Sequence, residues 1–294
     1  MPKYPTLHPL LGPRRFGVLL AALLGLALLS APGWSACEAK PLAPPPAKQE
    51  APAPDPGKIL QQACDLLKNA KQFTFKAEVT DDRVYPGSKK LQFGFDLQAF
   101  VNKPDKLRIN ANGDLENKEF FFNGKTITLY DKPKNAYAVM EAPAGIDGAL
   151  NQANQEYGLR IALSDLAYTN PCAQMTKGVK HSLYVGQHKV RGVKCHHLAF
   201  DRDDMQWQIW IDAGDKPLIR KLLINQKRLP HNPQWTAWFT DWNLAPQLSD
   251  SLFAFTPAEK ATKTKFVSLK EEAAKQPSPA PAAPKKKTKK GDKS

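Results

Sequence analysis

Cysteines, histidines and long apolar runs are all scarce in this sequence. Its 294 residues include 4 cysteines and 6 histidines, and neither a CxxC nor an HExxH spacing occurs, so the patterns that mark many zinc sites are missing. The GxSxG turn of serine hydrolases and the glycine-rich phosphate loop are absent as well. The one long apolar run, residues 16–30, is shorter than the ~20 residues that a membrane-spanning helix needs. These absences favour a protein that is not an enzyme and needs no cofactor.

The N-terminal sequence has the pattern of a secretory signal. Three basic residues precede the apolar run, and small residues follow it. We therefore expect residues 1–39 to be a signal peptide that is cleaved near residues 35–39, which places the mature protein in the periplasm. One alternative stays open, because Ser35-Ala36-Cys37 matches the end of a bacterial lipoprotein signal. Lipidation of Cys37 would anchor the protein at the outer membrane.

The two ends of the chain hold much of its positive charge. Of the net +14, the first 36 residues carry three charges and residues 277–294 carry a net five. Residues 40–56 are rich in proline and alanine and are predicted to be a linker, and residues 269–294, rich in proline, alanine and lysine, are predicted to be a disordered tail. The tail is expected either to contact anionic envelope surfaces or to stay solvated without a partner. Residues 57–268 remain as a single domain, whose modest charge does not indicate a nucleic-acid partner.

Two periodicities divide this domain into helices and strands. Asp55 is a suitable N-cap for a helix through Ala70, and apolar residues at helical spacing predict a second helix over residues 146–157. Elsewhere apolar and polar residues alternate, which predicts about eleven strands with one buried face. The combination indicates a mainly β (α+β) fold, in which helices cover the apolar face of one large, curved antiparallel sheet.

One stretch, VKCHHLAFDRDDMQWQIWID at residues 193–212, is rich in side chains that can bind metals. Alternation in a strand places Cys195 and His197 on one face and His196 on the other. The three side chains therefore cannot meet at one ion without a bulge, and the other histidines show no ligand spacing. We interpret the three as structural strand residues and expect no metal site.

The cysteines have a second use in an oxidising compartment. A disulfide between Cys172 and Cys195 is our prediction, with two free buried thiols as the alternative that spacing leaves open. Cys64 lies on the apolar side of the first predicted helix, and we interpret it as a small buried hydrophobic residue.

Several segments together resemble one bacterial family. They are FTFKAEVTDDRV, FFFNGKTITLYDKPKNAYA, YGLRIALSDLAYTNP, VKCHHLAFDRDDMQWQIWIDAGDKPLIRKLLI, and PQWTAWFTDWN with the later FAFTP. They resemble the periplasmic family known as domain of unknown function 2092, over about residues 57–260. That family is similar in fold to periplasmic lipoprotein carriers and outer-membrane lipoprotein receptors (LolA-like and LolB-like proteins). The resemblance implies an unclosed barrel that is lidded by helices and holds an apolar cavity for acyl chains.

Large side chains on the apolar faces of the predicted strands are the candidates for the wall of such a cavity. They are Phe93, Phe95, Leu97, Trp207 and Ile209. The sequence thus predicts a non-enzymatic periplasmic protein that binds a lipid, a lipoprotein acyl chain or another apolar ligand, with a lipoprotein or envelope protein as a further partner. The alternatives are an envelope-stress module that binds a membrane protein, a metal-dependent enzyme built on residues 195–197, and an ordinary filled core.

Overall fold

The computed structural model describes residues 53–115 and 117–271. Its helices are α1 (Pro56–Asn69), α2 (Ile146–Tyr157) and α3 (Pro171–Thr176), with 3-10 helices at Ser164–Ala167 and Asp250–Phe253. Its strands are β1 (Gln72–Tyr85), β2 (Lys89–Asn102), β3 (Lys106–Gly113), β4 (Asn117–Phe122), β5 (Thr126–Asp131), β6 (Ala136–Glu141), β7 (His181–Val190), β8 (Val193–Asp201), β9 (Met205–Asp212), β10 (Ile219–Gln226), β11 (Gln234–Asn243) and β12 (Thr262–Thr264). In this part of the chain no helix is long and apolar enough to cross a membrane. Cys37 and the lysine-rich end of the predicted tail lie outside it.

The strands form one 12-stranded sheet in the order β12-β6-β5-β4-β3-β2-β1-β11-β10-β9-β8-β7. Neighbouring strands are antiparallel except β12, which pairs with β6 in parallel. The sheet stays open, because β12 and β7 are its two edges. The predicted mainly β fold with a large unclosed sheet is thus confirmed, and the short β12 adds one strand that the sequence did not indicate.

Alternation along the strands gives the sheet two unlike faces. On β1, Phe73, Phe75, Ala77 and Val79 are buried, while Glu78 between them is exposed. We call the face of these buried residues the inner face and the opposite one the outer face. The inner face packs against α1, α2 and α3 in one continuous hydrophobic core. Burial of apolar side chains between a sheet and a layer of helices supplies the main stabilisation of such a domain.

Helix α1 begins as the sequence predicts. The Asp55 carboxylate accepts hydrogen bonds from the backbone N–H of Gly57 (2.8 Å) and of Lys58 (3.3 Å), and Pro56 occupies the first helical position. The apolar stripe of the helix is buried against the inner face, with Leu60 completely inaccessible. The bounds of α2 also agree with the predicted residues 146–157.

The predicted Cys172–Cys195 disulfide is wrong, because Cys172 is bonded to Cys64 instead. Cys172 on α3 and Cys64 on α1 both lie in the inner core, with their Cα atoms 5.5 Å apart. Cys195 lies on the outer face, buried in a small cluster with Val190 and Trp210. The sheet therefore separates Cys195 from Cys172, and Cys64 is buried as expected but is not a free thiol.

Candidate ligand-binding cavity

A cavity of about 750 Å³ lies between the inner face and the residues that follow α2. Its floor is a row of neighbours across three strands, in which Ile224 on β10 pairs with Trp207 on β9 and with Trp235 on β11. Leu222 and Met205 extend this apolar floor. The volume is within the ~300–1,000 Å³ of typical small-molecule sites.

The roof of the cavity comes from α2 and from the chain that leaves it. Gly158 ends α2 in a left-handed conformation (φ 64°), and its N–H donates to Asn154 O while the N–H of Leu159 donates to Ala153 O. This C-cap turns the chain across the inner face. The 3-10 helix beyond is tied to α2, since the Tyr168 hydroxyl donates to Asn151 Oδ1 at 3.1 Å.

A second cavity of about 290 Å³ lies over the strands of the N-terminal half of the sheet. It shares Trp235 and residues 159–162 with the large cavity. We call residues 159–162 the dividing segment, since they border both spaces. Removing or moving this segment would join two pockets that already rest on the same apolar face.

The predicted wall residues divide between the two cavities and the core. They are Phe93, Phe95, Leu97, Trp207 and Ile209. The strand register places all five on the inner face. Trp207 lines the large cavity, and Phe95 and Leu97 line the small one. Ile209 is completely buried, and Phe93 packs on Tyr85 with ring centroids 6.4 Å apart, so neither lines a cavity.

Helix α1 was expected to enclose the cavity together with α2. It lines neither space, because its apolar side fills the inner face over β8 and β9 with solid core. The walls therefore come from α2, the dividing segment, the 3-10 helix and α3.

Polar and charged side chains surround one end of the large cavity. Its basic residues are Arg160, Lys177, Arg202 and Arg228, and its acidic residues are Asp165 and Asp204. Arg202 is paired with Asp204 through hydrogen bonds of 3.1 and 3.2 Å. Asp165 is an exposed residue, but many protein atoms lie around its carboxyl. Desolvation by these atoms raises the pKa of Asp165, and the charges of Arg202 and Arg160 partly offset the rise.

The sequence did not point to the dividing segment or to the basic residues. The segment LRIALS after Gly158 is mainly apolar but follows neither the helical nor the strand period. The basic residues come from three separate loops and one helix end, so no spacing relates them. The one available signal for the dividing segment was an apolar run without periodicity that follows the C-cap of α2.

The stretch at residues 195–197 has the predicted strand geometry. Cys195 and His197 lie on the outer face, where the His197 ring stacks on Trp210 at a centroid distance of 4.1 Å. His196 points to the other side and its Nδ1 is 3.1 Å from the Tyr184 hydroxyl. In the described ranges no group of three or more His, Cys, Asp or Glu side chains is arranged to hold a metal ion. Burial raises the pKa of the Cys195 thiol, as does the charge of Asp212.

Comparison with solved structures shows distant likenesses. An uncharacterised conserved protein from Thermus thermophilus is 8% identical, with a TM-score of 0.43 over 71% of this chain and 97% of its own. A LolA superfamily protein from Nitrosomonas europaea is 10% identical, with a TM-score of 0.34 over 69% and 99%. The lipoprotein LppX from Mycobacterium tuberculosis is 12% identical, with a TM-score of 0.40 over 66% and 98%. At such identities and TM-scores the likeness does not indicate a function.

Comparison of the sequence itself is more decisive. No curated protein sequence matches the chain. The family described as predicted periplasmic protein (DUF2092) matches residues 57–267, which is most of the chain and includes both cavities. Its description agrees with the predicted periplasmic location, as does the disulfide between Cys64 and Cys172. The chain belongs to this family of predicted periplasmic proteins.

Proposed function

We propose that the protein is a non-enzymatic periplasmic binding protein that holds the acyl chain of a lipid or lipoprotein against the inner face of its sheet. The large cavity is the observation that carries this proposal. This space of about 750 Å³ is partly open to solvent and has an apolar floor, and its volume is sufficient for a small-molecule ligand.

The chemistry of the floor supports an acyl chain as the occupant. Trp207, Ile224 and Trp235 present adjacent apolar surfaces across three strands. An apolar cavity gains by accepting hydrocarbon, at roughly 0.8 kcal/mol for each methylene group that leaves water. The hydrocarbon chain itself needs no directed polar contact, because its binding depends on the apolar area that is removed from water.

The two tryptophans on the floor provide a direct test. A brominated fatty acid quenches the fluorescence of tryptophans that it contacts, so the mature protein should show saturable quenching. Trp207→Phe and Trp235→Phe should each remove part of that quenching, whereas Trp238→Phe, on the outer face, should not. Quenching that is absent, or that is lost equally in all three variants, would contradict the proposal.

A charge on the floor should abolish uptake. Ile224→Glu places a carboxylate in the large cavity and Phe95→Glu places one in the small cavity. Leu183→Glu is the matched control, because Leu183 is 61% exposed on edge strand β7. The ligand should be lost in the first variant and kept in the control, and the result for Phe95→Glu shows whether the chain extends past the dividing segment.

A second candidate function, binding of a membrane protein partner, is favoured by the free edge of β7. Leu183 and Val185 are 61% and 41% exposed on this strand, and an extended peptide can pair with an open sheet edge. Cross-linking in the envelope with a photoreactive residue at position 183 tests it. A membrane protein that is captured by the parent but lost in Val185→Lys, with lipid uptake unchanged, would support this function over the first.

A further inference from the structure

The large cavity has an apolar floor and a basic end. Arg202 and Asp204 belong to the β8–β9 turn, and Arg228 to the β10–β11 loop. The two loops meet at one end of the sheet, where the Lys227 N–H donates to Asp204 O at 3.0 Å. The two loops therefore place Arg202 and Arg228 at the strand ends that lie nearest to Trp207 and Ile224.

The remaining basic groups reach the same place from the roof. Arg160, on the dividing segment, and Arg202 both act on the Asp165 carboxyl. Lys177 follows α3 directly, and the next residue, Gly178, lies beside the Arg202 guanidinium, which is 3.8 Å from where a Cβ would be. Floor and roof thus both contribute cationic side chains to the large cavity, with Arg160 at its border with the small cavity.

Among the residues that line the large cavity the cations outnumber the anions, although Asp203 nearby, which pairs with Lys180, also attracts Arg228. Arg202 is occupied by Asp204. Within the part of the chain that the structure describes, Arg160, Lys177 and Arg228 form no ion pair within 4.0 Å. Asp165 is the one other carboxylate among the lining residues, so an excess of positive charge faces the cavity.

We infer that the large cavity takes an amphiphile with an anionic head group, whose acyl chain covers the floor at Trp207, Ile224 and Trp235 and whose carboxylate or phosphate lies among Arg160, Lys177 and Arg228. This inference rests on the proposed function, since it adds the head group to a cavity already proposed to hold a chain. Guanidinium groups match carboxylates and phosphates with paired hydrogen bonds, and a lysine adds a point charge.

The test compares ligands that share a chain and differ in head-group charge. The mature protein is titrated with oleate and with oleyl alcohol, and with lysophosphatidylglycerol and lysophosphatidylcholine of equal chain length, while tryptophan fluorescence is followed. Inorganic phosphate is the probe for an anion site that needs no chain. We expect the anionic member of each pair to bind at least about tenfold more tightly, and the difference to shrink as salt is added.

Substitution of the basic residues tests whether they cause the preference for anionic amphiphiles. Arg160→Gln, Lys177→Gln and Arg228→Gln, combined in one protein, should remove the difference between oleate and oleyl alcohol and leave binding of the alcohol unchanged. Arg191→Gln is the matched control, because it removes one charge on the outer face, where Arg191 pairs with Glu78 at 2.9 Å. It should retain the preference.

The outcomes separate the inference from the proposed function. Equal binding of charged and neutral amphiphiles, or an unchanged preference in the triple variant, would overturn the inference and leave acyl-chain binding intact. Phosphate that binds as tightly as the lysophospholipid would show an anion site independent of the chain, and would also overturn it. If no amphiphile of either charge binds, the proposed function itself fails.

Discussion

Loss of the Cys64–Cys172 disulfide should destabilise the domain strongly, because the bond links α1 to α3 within the inner core. The bond closes a loop of 108 residues between α1 and α3. A cross-link over a loop of about 100 residues removes roughly 4.7 kcal/mol of entropy from the unfolded chain, and measured losses are about 2–5 kcal/mol. We expect Cys64→Ala with Cys172→Ala to lower the free energy of unfolding by about 4 kcal/mol. With an m-value of about 2 kcal/mol/M, the urea midpoint falls by about 2 M.

Equilibrium unfolding in urea, followed by tryptophan fluorescence, measures this change. Cys195→Ala is the control, because it removes a buried thiol from the outer-face cluster and leaves the disulfide in place. Reductant should lower the midpoint of the parent and of the control but not of the double variant. A double variant as stable as the parent, or a Cys172–Cys195 peptide in a non-reducing digest, would refute the reasoning.

Two further predictions concern the sheet. Gly113→Ala should lower the free energy of unfolding by about 1–3 kcal/mol in the same assay, because a Cβ at this position would overlap the backbone of Gly94 and Phe95. A variant of normal stability would contradict this, since it would show that β2 and β3 can move apart without a loss of stability. Burial raises the pKa of Asp82, but hydrogen bonds from the Gln234 N–H and from Lys90 more than compensate and hold that pKa below its usual 3.8. The stabilisation by the Asp82 carboxylate is therefore present above pH 3.8 and is lost as the pH falls through the lower pKa of the folded state. Asp82→Asn should lower the free energy of unfolding by about 1–3 kcal/mol at pH 7 and by less near pH 2. An equal loss at both pH values would contradict this prediction.

Local signals in the sequence were sufficient for α1, α2 and the faces of the main strands, but not for α3 or β12. The Asp55 cap and the spacing of apolar residues located α1, and alternation placed Phe95, Leu97 and Trp207 on one face. Each of these features depends on neighbours within a few residues, which is why the sequence pattern alone predicts it.

Features that depend on contacts distant in sequence were not predictable in the same way. Sequence position favoured Cys195 as the partner of Cys172, and only the fold shows that the sheet separates these two residues and that α1 brings Cys64 beside Cys172. Arg160 and Arg228 both line the large cavity, but they lie on loops that are distant in sequence and that only the folded sheet brings together. Which wall residue meets a cavity and which is core, as for Trp207 and Ile209, depends on how the roof packs above them.

The central claim, that the large cavity holds an acyl chain, is tested most directly by weighing the native protein. The mature protein is purified from bacterial envelopes without detergent and measured by native mass spectrometry, and the bound material is then extracted with organic solvent. The account predicts a mass excess equal to that of a lipid, which disappears on extraction and is absent from Ile224→Glu but present in Leu183→Glu. A native mass equal to that of the polypeptide alone, together with no uptake of added fatty acid by the extracted and refolded protein, would contradict it.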